Sequence, residues 1–379
     1  MIKYLTINIL LFLTLNTASA QGNSTDSLQH YLQIQEYAKA VSWLKTVEPG
    51  SYNKEYLLNL GYCYYMNGDG KNALAVYQKL NEKEPNNLQA NLYLGIIYQK
   101  MKKYVQALQF YKNLTQIQPS QYKYWLYAAS MFSILEMSDS AFAYTGKAYQ
   151  ISPQAPDAVL RYSSGLSLQK QRDKAIAVIN SYLKTDSTNT DVIARKINYS
   201  ARDAKYKEVI FWGEQLLKDS ATEPLAYTDL AYAYLNTKQI DKCLSLCDWM
   251  ELNNMKNESL TYCAAQCYAQ QKNYTKSNLL LDECLQQNLV STAVIYFRSK
   301  ADNYEATKEY KKAIAQYDSS YFIFHHPTDL YYKARVYDMY LKDKTQATVF
   351  YKKYVAEKQK PESPAEEQLF QYIREYIKP

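Results

Sequence analysis

A step of 34 residues runs through this sequence. Gly61 recurs as Gly95, Tyr64 as Tyr98, Ala73 as Ala107, Tyr77 as Tyr111, Leu80 as Leu114 and Pro85 as Pro119, each pair 34 apart. A fixed period of roughly 20 to 50 residues marks one supersecondary unit copied many times, a unit that must stack on its neighbours to bury its apolar face. The register runs on without insertion from Ala107, Leu114 and Pro119 to Ala141, Ala148 and Pro153, and from Ala141 to Ala175. It passes through Val209, Cys243 and Ser277 as the chemistry drifts, and reappears two residues late at Ala313 and Ala347. The 379 residues therefore form one array of nine full repeats and a partial first one, not two or three ordinary domains.

Each repeat reads as two antiparallel helices. Small residues such as Gly61 with Ala73, and Gly95 with Ala107, let two helices approach closely, while Tyr64 and Tyr77 fill the gaps around them. Pro85, Pro119 and Pro153 stop each second helix, because proline lacks a donor and clashes with the preceding turn. Nine glycines and ten prolines in the whole chain leave few of the turns that sheets need. The 41 tyrosines against 10 phenylalanines suit thin helical layers, where a ring packs inward and its hydroxyl reaches water.

The run Leu57, Leu60, Gly61, Tyr64, Ala73, Tyr77, Leu80, Pro85 resembles the tetratricopeptide repeat, and the resemblance extends over roughly residues 25 to 360. It implies an all-α fold, a right-handed superhelical solenoid of antiparallel helix pairs over residues 21–360, with a capping helix over 361–379. The match is weakest from Asp191 to Leu217, where Ile197 and Gly213 replace the expected small and aromatic residues; this repeat is expected to pack loosely or to bend the array. At the C-terminal end, Ser363-Pro364 with Glu366 and Glu367 reads as a helix start, and Leu369, Phe370, Ile373 and Ile377 give the helix an apolar face.

The resemblance also implies that the first helix of each repeat lines a concave groove. At those positions stand Leu58, Tyr62, Tyr65, Leu92, Ile96 and Gln99 near the N-terminus, and Leu160, Ser164, Asn198, Arg202, Tyr232 and Asn236 in the middle. This mixed apolar, aromatic and amide lining suits an extended peptide or a helix. The Lys and Asn by which some family members hold a C-terminal carboxylate are replaced by Leu58 and Tyr62, which disfavours that ligand.

Catalytic motifs are sparse. Of three histidines, His325 and His326 precede Pro327 in a turn rather than standing four apart on a helix, so no metal site is expected. Gly68-Asp69-Gly70-Lys71-Asn72 lacks both the first glycine and the hydroxyl residue of a phosphate loop. The chain is read as non-enzymatic, with no catalytic residue and no cofactor. Five of six cysteines fall between 243 and 284, and Cys243/Cys247 and Cys263/Cys267 form two C-x-x-x-C pairs on neighbouring helices. The spacing is similar to that of twin C-x-x-x-C helical hairpins, which implies lacing of Cys243 to Cys267 and Cys247 to Cys263. Cys243 and Cys247 also occupy the Ala and aromatic positions of the repeat and Cys284 a third core position, so buried free thiols are the other reading.

The first twenty residues read as a secretory signal: Lys3, an apolar stretch from Ile7 to Leu15, and the small residues Ala18-Ser19-Ala20 before a cleavage point. No lipid-accepting cysteine stands beside that point, the first being Cys63, and no later segment has the length of apolar chain a membrane span requires. The expectation is a periplasmic protein. Its net charge of +7 is spread along the chain, which disfavours nucleic acid as a partner. Together these readings point to a scaffold or adaptor that binds a protein or peptide partner of the cell envelope along its groove. The alternative is a glycan-binding envelope protein that uses groove tyrosines. The oligomeric state is left open.

Overall fold

The computed structural model describes residues 24–47, 53–219, 222–287 and 293–378. The expected signal segment and its cleavage point lie outside them. All regular structure among the described residues is helical. The chain divides into two compact units, residues 1–171 and 172–379.

The first unit carries α1 (Ser24–Gln33), α2 (Tyr37–Thr46), α3 (Lys54–Met66), α4 (Gly70–Lys83), α5 (Leu88–Lys100), α6 (Tyr104–Ile117), α7 (Tyr122–Ile134), α8 (Ser138–Ile151) and α9 (Pro156–Leu168). The second carries α10 (Arg172–Leu183), α11 (Thr190–Arg202), α12 (Tyr206–Lys218), α13 (Pro224–Asn236), α14 (Ile240–Leu252), α15 (Glu258–Gln270), α16 (Tyr274–Gln287), α17 (Val294–Ala306), α18 (Tyr310–Phe324), α19 (Pro327–Arg335), α20 (Lys344–Lys358) and α21 (Pro364–Tyr376). Within each unit a helix packs on the one before and the one after it. The architecture is an all-α repeat solenoid.

The first helices start in two ways. Asn53, Asn87, Asn189 and Asn257 accept a hydrogen bond from the backbone N–H three residues on, while Pro156, Pro224 and Pro327 open α9, α13 and α19 at a position where their missing N–H costs nothing. The second helices α4, α6 and α8 end at Lys83, Ile117 and Ile151, two residues before Pro85, Pro119 and Pro153. Inside a repeat the chain reverses through one left-handed residue, Gly68 (φ 80°) in the second pair but Lys102 (57°), Glu136 (59°), Lys170 (61°), Ala204 (52°), Lys238 (60°), Lys272 (61°), Lys308 (63°) and Lys342 (56°) at the equivalent turns.

The core follows the repeat. Ala73, Ala107, Ala175, Val209, Cys243, Ser277, Ala313 and Ala347 are all fully buried. The repeat with the weakest pattern corrects the expectation of loose packing. Ile197 and Val209 are fully buried there, and the side chain of Leu230 fills the space beside Gly213, within 2.9 Å of where a β-carbon would stand. A branched residue from the following helix replaces the missing ring.

One repeat carries an extra residue. The small residues of the helix pair α17–α18 are Ala301 and Ala313, whereas the next pair uses Ala334 and Ala347, one residue further apart, and both are fully buried. The surplus is taken up by a π-helical turn, Val336–Tyr340, which continues α19. At the end, Ser363 caps α21 through the N–H of Glu366, and Phe370 and Ile373 are fully buried against Leu330, Tyr351 and Tyr354. The expected closing helix is in place.

Candidate groove on the first helices

In the first unit the expected groove residues are largely committed to packing. The Tyr62 ring meets those of Tyr37 and Tyr93 edge-on at 6.0 and 6.1 Å, and burial, followed by Tyr37, pushes its hydroxyl up to about 12. Tyr65 packs against Tyr93 at 5.1 Å and carries Lys100 over its face at 4.3 Å. Leu92 is a correction: it is buried with Ala107, Tyr111, Leu114, Ala128 and Met131, under a cover that includes Tyr124 and Tyr127, and belongs to the core. Gln99 is exposed and accepts the hydroxyl hydrogen bond of Tyr111 at 2.7 Å. Leu58 and Ile96 are half-buried beside the core cluster that contains Tyr64 and Tyr77. On α9, the Ser164 hydroxyl donates to the carbonyl of Leu160 at 2.7 Å. A cavity of about 280 Å³ opens beside Tyr65, between Leu74, Ile97 and Met101, with Lys71 and Lys100 on its rim.

The second unit differs. Its first helices touch one another directly, α11 on α13, α13 on α15 and α15 on α17. The same repeat position on those four helices is occupied by Asn198, Tyr232, Gln266 and Asp302. Arg202, Tyr232 and Asn236 are exposed, Tyr232 by 46%, so a guanidinium, an aromatic ring and an amide are open to solvent in this unit. Tyr206 supports the Tyr232 ring edge-on at 6.3 Å, and Asn236 donates to the Tyr232 carbonyl at 2.8 Å. Asn198 reaches Asp229 only at 3.5 Å. Burial raises the Asp229 carboxyl above the usual carboxylate range, against the opposing effects of Asn198 and Arg202.

Further along, polar side chains tie each first helix to the next. Gln266 donates to Ser299 Oγ at 2.9 Å, and the Tyr262 hydroxyl lies 3.3 Å from the same oxygen. Arg298 pairs with the fully buried Asp329 at 2.6 Å, which also accepts from Ser320 at 2.7 Å. Arg335 binds both oxygens of Glu305 at 2.8 Å. The Tyr332 ring lies 5.4 Å from the Arg298 guanidinium and 5.3 Å from that of Arg335. Asp302 is exposed, yet surrounding protein raises its carboxyl, helped by Glu305 and opposed by Arg335. Sequence reasoning stopped at Asn236 and missed Gln266, Arg298, Asp302 and Arg335. The 34-residue step from Tyr232 leads to Gln266, and the two-residue insertion then leads to Asp302.

The four clustered cysteines of α14 and α15 are free thiols, as are Cys63 and Cys284. Cys243 donates to the Ala231 carbonyl at 3.3 Å within its own helix pair.

Comparison with known proteins agrees with the repeat. The tetratricopeptide repeat family profile matches residues 64–130, and that of anaphase-promoting complex, cyclosome, subunit 3 matches residues 202–284. No curated protein matches the sequence. Among solved structures, a tetratricopeptide repeat protein from Parabacteroides merdae is 13% identical over 66% of this chain and 98% of its own, with a TM-score of 0.45. PilF from Pseudomonas aeruginosa is 11% identical over 55% of this chain and 94% of its own, at 0.46. MamA from Desulfovibrio magneticus is 17% identical over 44% of this chain and 95% of its own, at 0.40.

Proposed function

The chain is a tetratricopeptide-repeat protein, and from that premise we propose that it is a non-enzymatic scaffold of the cell envelope that holds a segment of a partner protein on its first-helix face. The observation that carries this reading is the exposed trio Arg202, Tyr232 and Asn236 in the second unit. Tyrosine and arginine are the side chains that most often anchor protein interfaces, because each adds large contact area with a polar group at its tip. Here the ring is held by Tyr206 before any partner arrives, which lowers the entropy lost on binding. The amides of Asn236 and Gln266 are suited to backbone groups of an extended segment. Export through the N-terminal signal would bring the scaffold to envelope partners.

The test is capture from a solubilised cell envelope by immobilised chain from Gln21 onward, with Arg202→Ala/Tyr232→Ala/Asn236→Ala as control. A protein retained by wild type and lost with the triple variant, at unchanged helical circular dichroism, supports the reading. Equal retention by both removes this face from the account.

A further inference from the structure

Several second helices of this chain open on an aromatic ring. α6, α12, α16 and α18 begin with Tyr104, Tyr206, Tyr274 and Tyr310, all half-buried. Tyr104 and Leu108 pack against a cluster that contains Met131, from the following first helix. The Tyr310 ring stacks at 4.8 Å on that of Tyr340, in the π-helical turn that continues α19. One repeat before Tyr104 the 34-residue step leads to Gly70, with Leu74 and Ile97 in the places of Leu108 and Met131. α4 therefore begins without a ring, and the cavity of about 280 Å³ between Leu74, Ile97 and Met101 opens there, with Gly70 in its wall. Protein interiors keep few gaps larger than a water molecule. This one stands where the next repeat keeps a tyrosine.

Charge defines its rim. Lys71 and Lys100 are exposed there, and none of the residues lining the cavity is acidic. Lys100 lies over the Tyr65 face at 4.3 Å, which holds its ammonium group at the mouth. Asp69, close to Lys71 in the chain, is committed to the start of α4: it accepts from the backbone N–H and from the side-chain amide of Asn72, at 3.1 and 2.7 Å. Among the described residues, the ion pairs of the first unit are Lys39 with Glu36 and Lys54 with Glu84, so neither rim ammonium group has a carboxylate partner.

We propose that this cavity receives an aromatic side chain from a partner segment whose flanking acidic residues meet Lys71 and Lys100. Pockets for whole drug-sized ligands run from about 300 to 1,000 Å³, so this smaller one suits a single ring. The partner supplies in trans the ring that Tyr104 supplies in cis one repeat later, and the two lysines select an acidic segment. The site goes beyond the first-helix face of the second unit and does not depend on it, because every residue that forms it lies in the first unit.

The probe is a synthetic peptide with one tyrosine between pairs of glutamates, both ends blocked, titrated at low salt into the full chain carrying carbon-13 methionine methyl groups. Met101 lies in the cavity wall, so an entering ring shifts its methyl resonance, which is assigned by its loss in Met101→Leu. The resonance of Met250, fully buried in the second unit, should stay in place. Alanine in place of the peptide's tyrosine should remove the shift, and Lys71→Glu/Lys100→Glu should weaken binding roughly tenfold. Gly70→Tyr fills the cavity from within. A β-carbon there meets nothing within 4 Å, so this variant should keep its helical spectrum and lose the shift. Arg202→Ala/Tyr232→Ala/Asn236→Ala should bind the peptide like wild type, which separates this test from that of the second-unit face. An unmoved Met101 methyl at the highest soluble peptide concentration, undiminished binding to Gly70→Tyr, equal binding of a peptide with lysines for its glutamates, an equal shift with free para-hydroxyphenylacetate, or loss of binding in the second-unit triple variant would each overturn the proposal.

Discussion

The ring of Tyr111 lies where a side chain on Gly95 would begin: a β-carbon built on that glycine would stand 2.5 Å from Cε1 of the ring. Tyr111 is itself fully buried and anchored through its hydroxyl to Gln99, so it has little freedom to retreat. Gly95→Ala is therefore expected to cost about 1–3 kcal/mol, the usual range for overpacking a closed core. Urea denaturation of the variant measures it, and a loss below about half a kilocalorie per mole would mean that the helices separate without strain.

The turn inside each repeat makes the opposite prediction. Lys102 holds a left-handed backbone at φ 57°, where a β-carbon is disfavoured by roughly 1–2 kcal/mol, and its side chain is exposed. Lys102→Gly should raise stability by about 1 kcal/mol, whereas Gly68→Ala at the equivalent turn should lower it by a similar amount. Paired denaturation curves test both signs in one protein.

Arg298 and Asp329 form the most enclosed ion pair of the second unit, with the carboxylate fully buried. Removing only the cation leaves that charge without its guanidinium, so Arg298→Met is expected to lose about 3–5 kcal/mol. The double variant Arg298→Met/Asp329→Leu should recover much of this, because the cost comes from the stranded charge. Thermal melts of both variants separate the two contributions.

Acid should weaken the second unit through three carboxylates. The partner lysine or arginine holds each below its ordinary range: Arg172 for Asp203, Lys196 for Glu208 and Lys242 for Glu214. A depressed folded-state pKa adds stability at pH values above the unfolded-state pKa, near 4, and that stability disappears as pH falls through the lower folded value. The denaturation midpoint should stay level from pH 7 to about 5 and fall below about 4. Glu208→Gln should start lower, because Lys196 is only 5% exposed, and should show a shallower acid decline.

Much of this architecture was legible because period and chemistry agreed. Pro85, Pro119 and Pro153 mark helix ends whatever surrounds them, and Ser363 followed by Pro364 has one sensible use. The remainder depended on neighbours. Leu92 falls at a groove position by counting, but the large residues that cover it, Tyr124 and Tyr127, belong to the next repeat. Ile197 and Gly213 looked like a weak joint because the compensating Leu230 lies on a different helix. The continuation of the groove face beyond Asn236 was present in the 34-residue step. Further on, Arg335 lies where that step from Ala301 expects a small residue, and only the π-helical turn shows that Ala334 has taken its place.

The left-handed turns have one more consequence. Because every repeat of the second unit reverses at the same position, Lys238, Lys272, Lys308 and Lys342 recur at one corner of four successive helix pairs, all in solvent. None contributes a side chain to the core. Charge at that corner can be increased, neutralised or inverted without disturbing a packed atom, so mutation can retune the isoelectric point and colloidal behaviour there while the architecture stays constant.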